Sequence, residues 1–283
     1  MVYLALYVVA TPIGNLDDMT LRALETLRRV DAIIAEDTRT YRTLATRHGI
    51  PAKSVYSLYK GNESARIEQI LPRLRDGLEA ALVTESGTPA VSDPGALLVR
   101  RCLESGVRVI PIPGPSSLTA ALSVAGVFAE RIIFIGFLPK NNPAGAIVDL
   151  LLGGTAVVCF EHPARLVSTL KDLAARAPTA RVVITRELTK KFEECRAGSA
   201  ADAQKAFDGR TVKGEVAIII EAAPDAGEND DAKKSANESA LRWLKSLRDE
   251  SVSLSSAVRV VSQMLNLPKR AVYAEALKLW EAA

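Results

Sequence analysis

The run Tyr3-Leu4-Ala5-Leu6-Tyr7-Val8-Val9-Ala10 passes directly into Thr11-Pro12-Ile13-Gly14-Asn15-Leu16. A short apolar stretch that ends in Pro and Gly reads as a buried strand entering a loop. Leu21, Leu24, Leu27 and Val30 then recur at helical spacing, with Thr20 placed to cap the helix. The same alternation continues outward. Asp31–Ala35 is strand-like. Ile67, Ile70, Leu71 and Leu74 mark a helix closed near Gly77. Ala80–Thr84, Leu97–Leu103, Val107–Ile112 and Ser116–Ala125 read as strand, helix, strand and helix. Strands separated by helices are joined by right-handed crossovers, so a parallel α/β sheet is expected here.

A second unit is expected from Arg131, with strands at Ile132–Phe137, Thr155–Phe160, Arg181–Thr185 and Glu215–Ile220 and a helix at Ala164–Ala175. Leu138-Pro139-Lys140-Asn141-Asn142-Pro143 is a loop by composition. Ala222–Ser239 is polar, charged and nearly free of large apolar residues, the composition of a flexible linker. Helical patterns follow at Ala240–Leu247, Ser255–Leu265 and Lys269–Trp280. The expected organisation is an N-terminal α/β domain (1–128), a C-terminal α/β domain (129–222), a linker (223–239) and a helical module (240–283). From residue 241 onward, seven Lys and Arg stand against four Asp and Glu, which gives that module a basic surface.

The 283 residues are 48% hydrophobic and 24% charged, near the globular average, which excludes disordered, collagen-like and coiled-coil chains. No apolar run approaches the ~18 residues that cross a bilayer. No basic region and no small-residue cleavage site flank the first apolar run, so no signal peptide is expected. Three scattered cysteines form no disulfide framework, which fits a reducing cytoplasm. Two histidines, His48 and His162, have no ligand at metal spacing, so no zinc site and no metal is expected. The net charge of +3 permits a nucleic-acid partner without demanding one.

Four strand-end loops carry unusual chemistry, and ligands of open α/β sheets bind at the carboxyl ends of strands. Ala10–Leu16 lacks the dinucleotide glycine pattern and by itself is a tight turn. Glu36, Asp37 and Arg39 end an apolar strand. Asp37 or Thr38 can cap the next helix, or the acids can line a cleft with Arg39 facing a phosphate. Glu85–Gly95 holds two glycines and two prolines, a long shaped loop of the kind that binds ligands. Ser116 and Ser117, after Pro113-Gly114-Pro115, either cap a helix or meet a polar ligand at its N-terminus. Farther on, Arg186-Glu187-Leu188-Thr189-Lys190-Lys191 and Lys140 are solvated charges or phosphate contacts.

Singly these loops are ambiguous; together they are specific. Val9–Leu16, Ala35-Glu36-Asp37-Thr38-Arg39, Gly87-Thr88-Pro89, Asp93-Pro94-Gly95, Pro111–Ser116, Gly136-Phe137-Leu138-Pro139 and Arg186–Lys190 occur in this order. Over essentially residues 3–221 the chain closely resembles the ribosomal RNA small subunit methyltransferase I family, within the tetrapyrrole-methylase-like superfamily. The tail resembles the family's helical extension loosely.

The resemblance implies two α/β domains with S-adenosylmethionine in the cleft between them, and a homodimer. It implies methyl transfer to the ribose 2′-OH of a cytidine in the decoding region of small-subunit rRNA, free or assembled. By matched position, Gly87, Thr88 and Pro89 resemble the superfamily's Gly-Asp-Pro cofactor loop. Val91, Ser116 and Ser117 fall where relatives hold the cofactor, and Ile13 and Phe160 are assigned to it as well. The chain departs from the family pattern at Thr84-Glu85-Ser86, where Ser-Asp-Ala is usual. It departs again at Phe160-Glu161-His162-Pro163-Ala164-Arg165, where Tyr-Glu-Ser-Pro-His-Arg is usual, and in lacking further bases after Lys140.

Methyl transfer from a sulfonium is an in-line displacement, so the protein supplies mainly position and desolvation. A ribose hydroxyl gains from losing its proton, and Asp37 or Glu36 is expected to take it, with Arg39 on an adjacent phosphate. Lys140, Arg186, Lys190 and the tail bases are expected to track RNA; tail bases such as Lys269 and Arg270 are alternatively an ordinary solvated helix face. The competing readings are a tetrapyrrole or small-molecule methyltransferase of the same superfamily and a non-catalytic rRNA-binding assembly factor.

Overall fold

The computed structural model describes residues 5–151, 154–222, 230–265, 267 and 269–281, with the side chains of 230–236 and 281 left aside. The chain divides into two compact units. The first is Met1–Val124 together with Thr185–Glu194; the second is Ala125–Ile184 with Cys195–Ala283.

The first unit is built on strands β1 (Ala5–Val9), β2 (Ala32–Ala35), β3 (Ser54–Ser57), β4 (Ala80–Val83) and β5 (Arg108–Ile112), in the spatial order β3-β2-β4-β1-β5. Every pairing is parallel, as the alternation of strands and helices requires. Helices α1 (Leu21–Arg29), α2 (Thr38–Arg47), α3 (Glu63–Arg75), α4 (Ala96–Glu104) and α5 (Ser117–Ala125) connect or follow them. Side chains alternate across the sheet. Tyr7, Val9, Ile33 and Val83 pack with Leu27 of α1 and Leu44 of α2 on one face. Leu6, Ile34 and Leu82 pack with Ile70 of α3 and Leu98 of α4 on the other. A strand buried on both faces has to read as a continuous apolar run, which is why Ala5–Val9 does. Thr20 accepts a hydrogen bond from Ala23 N and starts α1 where the spacing predicts.

The second unit carries a mixed sheet of β6 (Arg131–Phe137), β7 (Thr155–Glu161), β8 (Arg181–Arg186), β9 (Glu194–Ser199) and β10 (Val216–Glu221), in the order β6-β7-β10-β8-β9. β6 and β7 are parallel, with a register shift between Phe134 and Phe137. β7 and β10 are antiparallel. Helices α6 (Pro143–Val148), α7 (Pro163–Arg176) and α8 (Ala200–Phe207) accompany the sheet. Leu166, Leu170, Leu173 and Phe207 close its core over Val157, Val182 and Ile218. Three helices follow: α9 (Asp230–Asp249), α10 (Leu254–Met264) and α11 (Lys269–Glu281). Leu244, Ala257, Val261, Val272 and Ala276 give them a core of their own. Helix α9 thus begins inside the 223–239 segment expected as a linker, and residues 223–229 lie outside the described ones. Among the described residues, no helix is long and apolar enough to cross a membrane.

At the end of β7 the Glu161 carboxyl is fully buried. It accepts from His162 N at 2.6 Å and from Thr169 Oγ1 at 2.7 Å, and pairs with Arg165 Nη2 at 2.6 Å. His162 therefore caps α7 through Nδ1, at 3.3 Å from Ala164 N, in the structural role its isolation implies. Removing one partner of a buried ion pair strands the other charge, at a cost of about 3 kcal/mol or more. Arg165→Met should lower unfolding free energy by about that amount in urea titration, and adding Glu161→Gln should restore part of it. Equal stability of Arg165→Met and the parent would show that Glu161 does not need its cation.

Candidate functional site

In the first unit, β1, β2, β4 and β5 all deliver their chains to one edge of the sheet. Adjacent β1 and β4 send their connections in opposite directions, β1 toward β2 and β4 toward β5. Such a switch point leaves a crevice between the loops. Here the two exit loops are tied together. Thr11 N donates to Gly87 O at 2.8 Å and Gly87 N donates to Thr11 O at 3.1 Å. Thr11 Oγ1 donates to Thr84 O at 3.2 Å. The loop after β5 joins them, because Thr88 Oγ1 donates to Pro115 O at 3.1 Å.

Gly87 sits at the meeting point with φ +86°, where an L side chain is strained. A Cβ there would lie 3.4 Å from Ile13 Cγ2 and 3.8 Å from both Pro115 O and Ser116 Cα. The absent side chain keeps open the place where three loops face one another. Ile13 and Pro89 are buried beside it, and Val91 is 40% exposed. Ala90 and Ser92 on either side of Val91 have φ of 65° and 71°, so this loop holds a shape that non-glycine residues rarely take. Ser116 O accepts the first helical bond of α5 from Ala120 N at 2.9 Å. The Ser116 and Ser117 hydroxyls have no hydrogen bond among the described residues and stand at the positive end of that helix. The structure thus brings together Ile13, Gly87, Thr88 and Ser116 of the expected cofactor set. Phe160 lies in the second unit, on β7, with its ring edge-on to Phe134 at 5.1 Å and to Phe137 at 5.5 Å.

The acids at the end of β2 have separate jobs. Asp37 caps α2, accepting from Arg39 N at 2.6 Å and Thr40 N at 3.4 Å, and it binds Arg39 Nη2 at 2.7 Å. The Arg39 side chain and these backbone donors pull the Asp37 carboxyl down to about 2. Glu36 turns the other way: its Oε2 accepts from Thr84 Oγ1 at 2.5 Å and from Glu85 N at 3.3 Å. Asp93 joins Glu36 and Glu85. Burial, then the charge of Glu36 and, less, of Glu85, push it up to about 6, against the Thr84 hydroxyl and Lys60. Asp93 was not singled out as an acid–base group by the sequence. Its signal, a carboxyl in a glycine- and proline-locked loop, becomes chemical only when β2 and β4 are neighbours.

The expected RNA contacts divide as well. Lys140 is exposed and has no hydrogen bond or ion pair among the described residues. Arg186 Nε lies 3.0 Å from Glu194 Oε2, and Lys190 Nζ lies 2.9 Å from Glu187 Oε1. The loop that bears Lys190 touches the β1 exit loop: Asn15 N donates to Thr189 Oγ1 at 3.1 Å. A Cβ on Gly14 would come 2.5 Å from Lys190 Cγ, so the glycine permits this approach. No group of three or more His, Cys, Asp or Glu among the described residues could hold a metal.

Residues 5–204 match the family model of Tetrapyrrole (Corrin/Porphyrin) Methylases, and residues 234–279 match that of the RsmI C-terminal HTH domain. Solved structures with the same fold include the cobalamin biosynthetic enzyme cobalt precorrin-4 methyltransferase CbiF. It has a TM-score of 0.56 and 17% identity over 77% of this chain and 95% of that one. A diphthine synthase has a TM-score of 0.59 and 16% identity over 77% and 89%. At these identities the likeness is one of fold, and the fold with its strand-end loops defines a tetrapyrrole-methylase-type protein. Among sequences, the Ribosomal RNA small subunit methyltransferase I of Neisseria meningitidis serogroup B is 39% identical over 96% of this chain and 92% of its own length. The protein of that name from Thermotoga maritima is 41% identical over 76% of this chain and 97% of its own. That from Escherichia coli O157:H7 is 37% identical over 96% and 94%. The chain belongs to the ribosomal RNA small subunit methyltransferase I family and is a methyltransferase.

A methyltransferase of this family implies S-adenosylmethionine as donor, and the open cradle at Gly87 with the two unpartnered hydroxyls of Ser116 and Ser117 fits such a ligand. Gly87→Ala should therefore weaken S-adenosylmethionine binding in calorimetry and, through its φ, cost about 1–2 kcal/mol of stability. Unchanged donor affinity in a folded Gly87→Ala protein would remove this loop from the donor site.

Proposed function

We propose that the chain transfers the methyl group of S-adenosylmethionine to the ribose 2′-hydroxyl of a cytidine in the decoding region of small-subunit rRNA. The observation that carries this is the pairing of a glycine cradle at Gly87 with a carboxyl of raised basicity, Asp93, on the same loop. The relatives' name supplies the substrate class. Ile13, Gly87, Thr88, Pro89, Val91, Ser116 and Ser117 form the donor site. The donor brings an electrophilic methyl on a positively charged sulfur, so the chain's own task is to hold the hydroxyl in line and receive its proton.

Asp37 is ill suited to receive it. A carboxylate held near 2 by Arg39 is a weak base, and its oxygens are already occupied. Its part is to orient Arg39, whose guanidinium is 85% exposed and faces the phosphate of the target nucleotide in this reading. Burial, and then the charge of Glu36 beside it, keeps the affinity of Asp93 for a proton high. Asp93 is then the proton acceptor. Lys140 meets the RNA backbone, and Arg186 and Lys190 reach phosphate by exchanging it for their glutamate partners.

The expected homodimer has support in the second unit. Phe128 is 95% exposed, and Ile132 and Phe137 on the edge strand β6 are 50% and 63% exposed. An uncovered apolar edge of this kind is an association surface. Phe128→Glu with Ile132→Lys should shift the protein to monomer in light scattering; a parent that is itself monomeric at micromolar concentration would end the dimer reading.

The deciding experiment incubates labelled S-adenosylmethionine with small ribosomal subunits and maps the label by nuclease digestion. One labelled ribose 2′-oxygen on a decoding-region cytidine is expected; label on a base, or none with donor bound, would refute the proposal. In the same assay the parent's rate should climb as pH rises through about 6, because ionised Asp93 is the accepting form. Asp93→Asn should abolish that climb and lower the rate by about 10²-fold or more. The folded-state value lies above the ordinary 3.8, so ionising Asp93 costs stability as pH rises from about 4 to about 6. Asp93→Asn should remove that dependence too.

A further inference from the structure

In the C-terminal module, the apolar faces of α10 and α11 turn inward on Leu244, Val261 and Val272, and the outer face of α11 begins with Lys269 and Arg270. Lys269, Arg270 and Tyr273, with Ser255 and Val258 of α10, line a shallow depression of about 360 Å³. Val258 is 6% exposed and gives it an apolar floor; the Tyr273 ring is 48% exposed at its wall. Elsewhere in the module Lys278 pairs with Glu275 at 2.7 Å and Arg248 with Asp249 at 3.1 Å. Lys269 and Arg270 have no ion pair or hydrogen bond among the described residues.

We propose that this depression binds one unpaired nucleotide of RNA, its base stacked on Tyr273 and its phosphates held by Lys269 and Arg270. The inference rests on the rRNA reading above and gives the module a distinct part in it. The family model names the module a helix-turn-helix domain, a motif that in DNA complexes lays its second helix in the major groove. A-form RNA does not allow that, because its major groove is too deep and narrow for side chains to read. What α11 presents instead is a half-exposed aromatic ring beside two cations, next to the apolar floor from α10. Stacking on an aromatic face and backbone attraction are how single strands are held. The volume is at the low end of the ~300–1,000 Å³ of small-molecule sites, about right for one base. Ser255 supplies a hydroxyl for the base edge.

The test uses the full chain and fluorescence anisotropy with two probes, a short single-stranded RNA of mixed sequence and an RNA duplex of equal length. The parent should prefer the single strand. Tyr273→Ala should weaken single-strand binding about tenfold, whereas Tyr273→Phe, which keeps the ring, should bind like the parent. Lys269→Ala with Arg270→Ala should reduce the salt slope by about 1.4, the release of two contacts on a single strand. Equal affinity of Tyr273→Ala and the parent, or a preference for the duplex, would overturn the inference while leaving methyl transfer and donor binding intact. Failure of every form to bind either RNA, with S-adenosylmethionine still bound, would overturn the rRNA reading and this inference with it.

Discussion

Two backbone hydrogen bonds between Thr11 and Gly87 fix the arrangement on which the site depends. β1 and β4 are neighbours in the sheet, yet their exits are 76 residues apart along the chain. Without the tie, each exit loop would be a separate surface segment, and the switch point would offer only an open crevice. With it, Ile13, Thr88 and Ser116 face one another around an atom that carries no side chain. The tie also explains the residue types. Thr11 closes it from the side-chain end through Thr84 O, and Gly87 is the one residue type that takes φ +86° without strain.

The same geometry sets the charges. Parallel strands ending at one edge crowd together whatever acids follow them, and here Glu36, Glu85 and Asp93 follow β2 and β4. Like charges in a partly buried place cannot all ionise cheaply. Asp37 escapes because Arg39 and the start of α2 satisfy it; Glu36 is steadied by the Thr84 hydroxyl. Asp93 is left with the strain of the group and a correspondingly higher proton affinity. Arg39 thus lowers one carboxyl, while burial and Glu36 raise another.

The chain announced its long buried elements plainly. Ala5–Val9, Ala80–Val83 and Thr155–Glu161 are strands because only apolar side chains fit where both faces are covered, and the Thr20 cap is written in the sequence. β3 and β9 were not legible: Ser-Val-Tyr-Ser and Glu-Cys-Arg-Ala-Gly-Ser are polar edge strands whose identity comes from their neighbours. α6 is six residues long with a glycine inside, below what periodicity detects. α8 did carry a readable signal, the reciprocal Ser199–Asp202 capping box. In the site, the loops that meet at Gly87 were legible as motifs. The division of labour among the acids was not, since it depends on which strand lies beside which. Arg186 and Lys190 read as exposed bases because their acidic partners, Glu194 and Glu187, are brought round by the β8–β9 loop.

A sulfonium donor is already activated, so an enzyme that uses it needs little chemical machinery: a rigid place for the donor and one group to receive a proton. In the proposed function the first unit supplies both, from loops that the sheet itself holds still. Choosing one target among many in rRNA is a larger demand, because neighbouring nucleotides are chemically alike. That discrimination has to come from binding at a distance from the reacting atoms. The helical module has its own core of Leu244, Val261 and Val272, so its surface can change without disturbing the sheet. Separating the two tasks between independently packed cores lets substrate choice vary while the donor loops, constrained by Gly87 and Thr11, stay as they are.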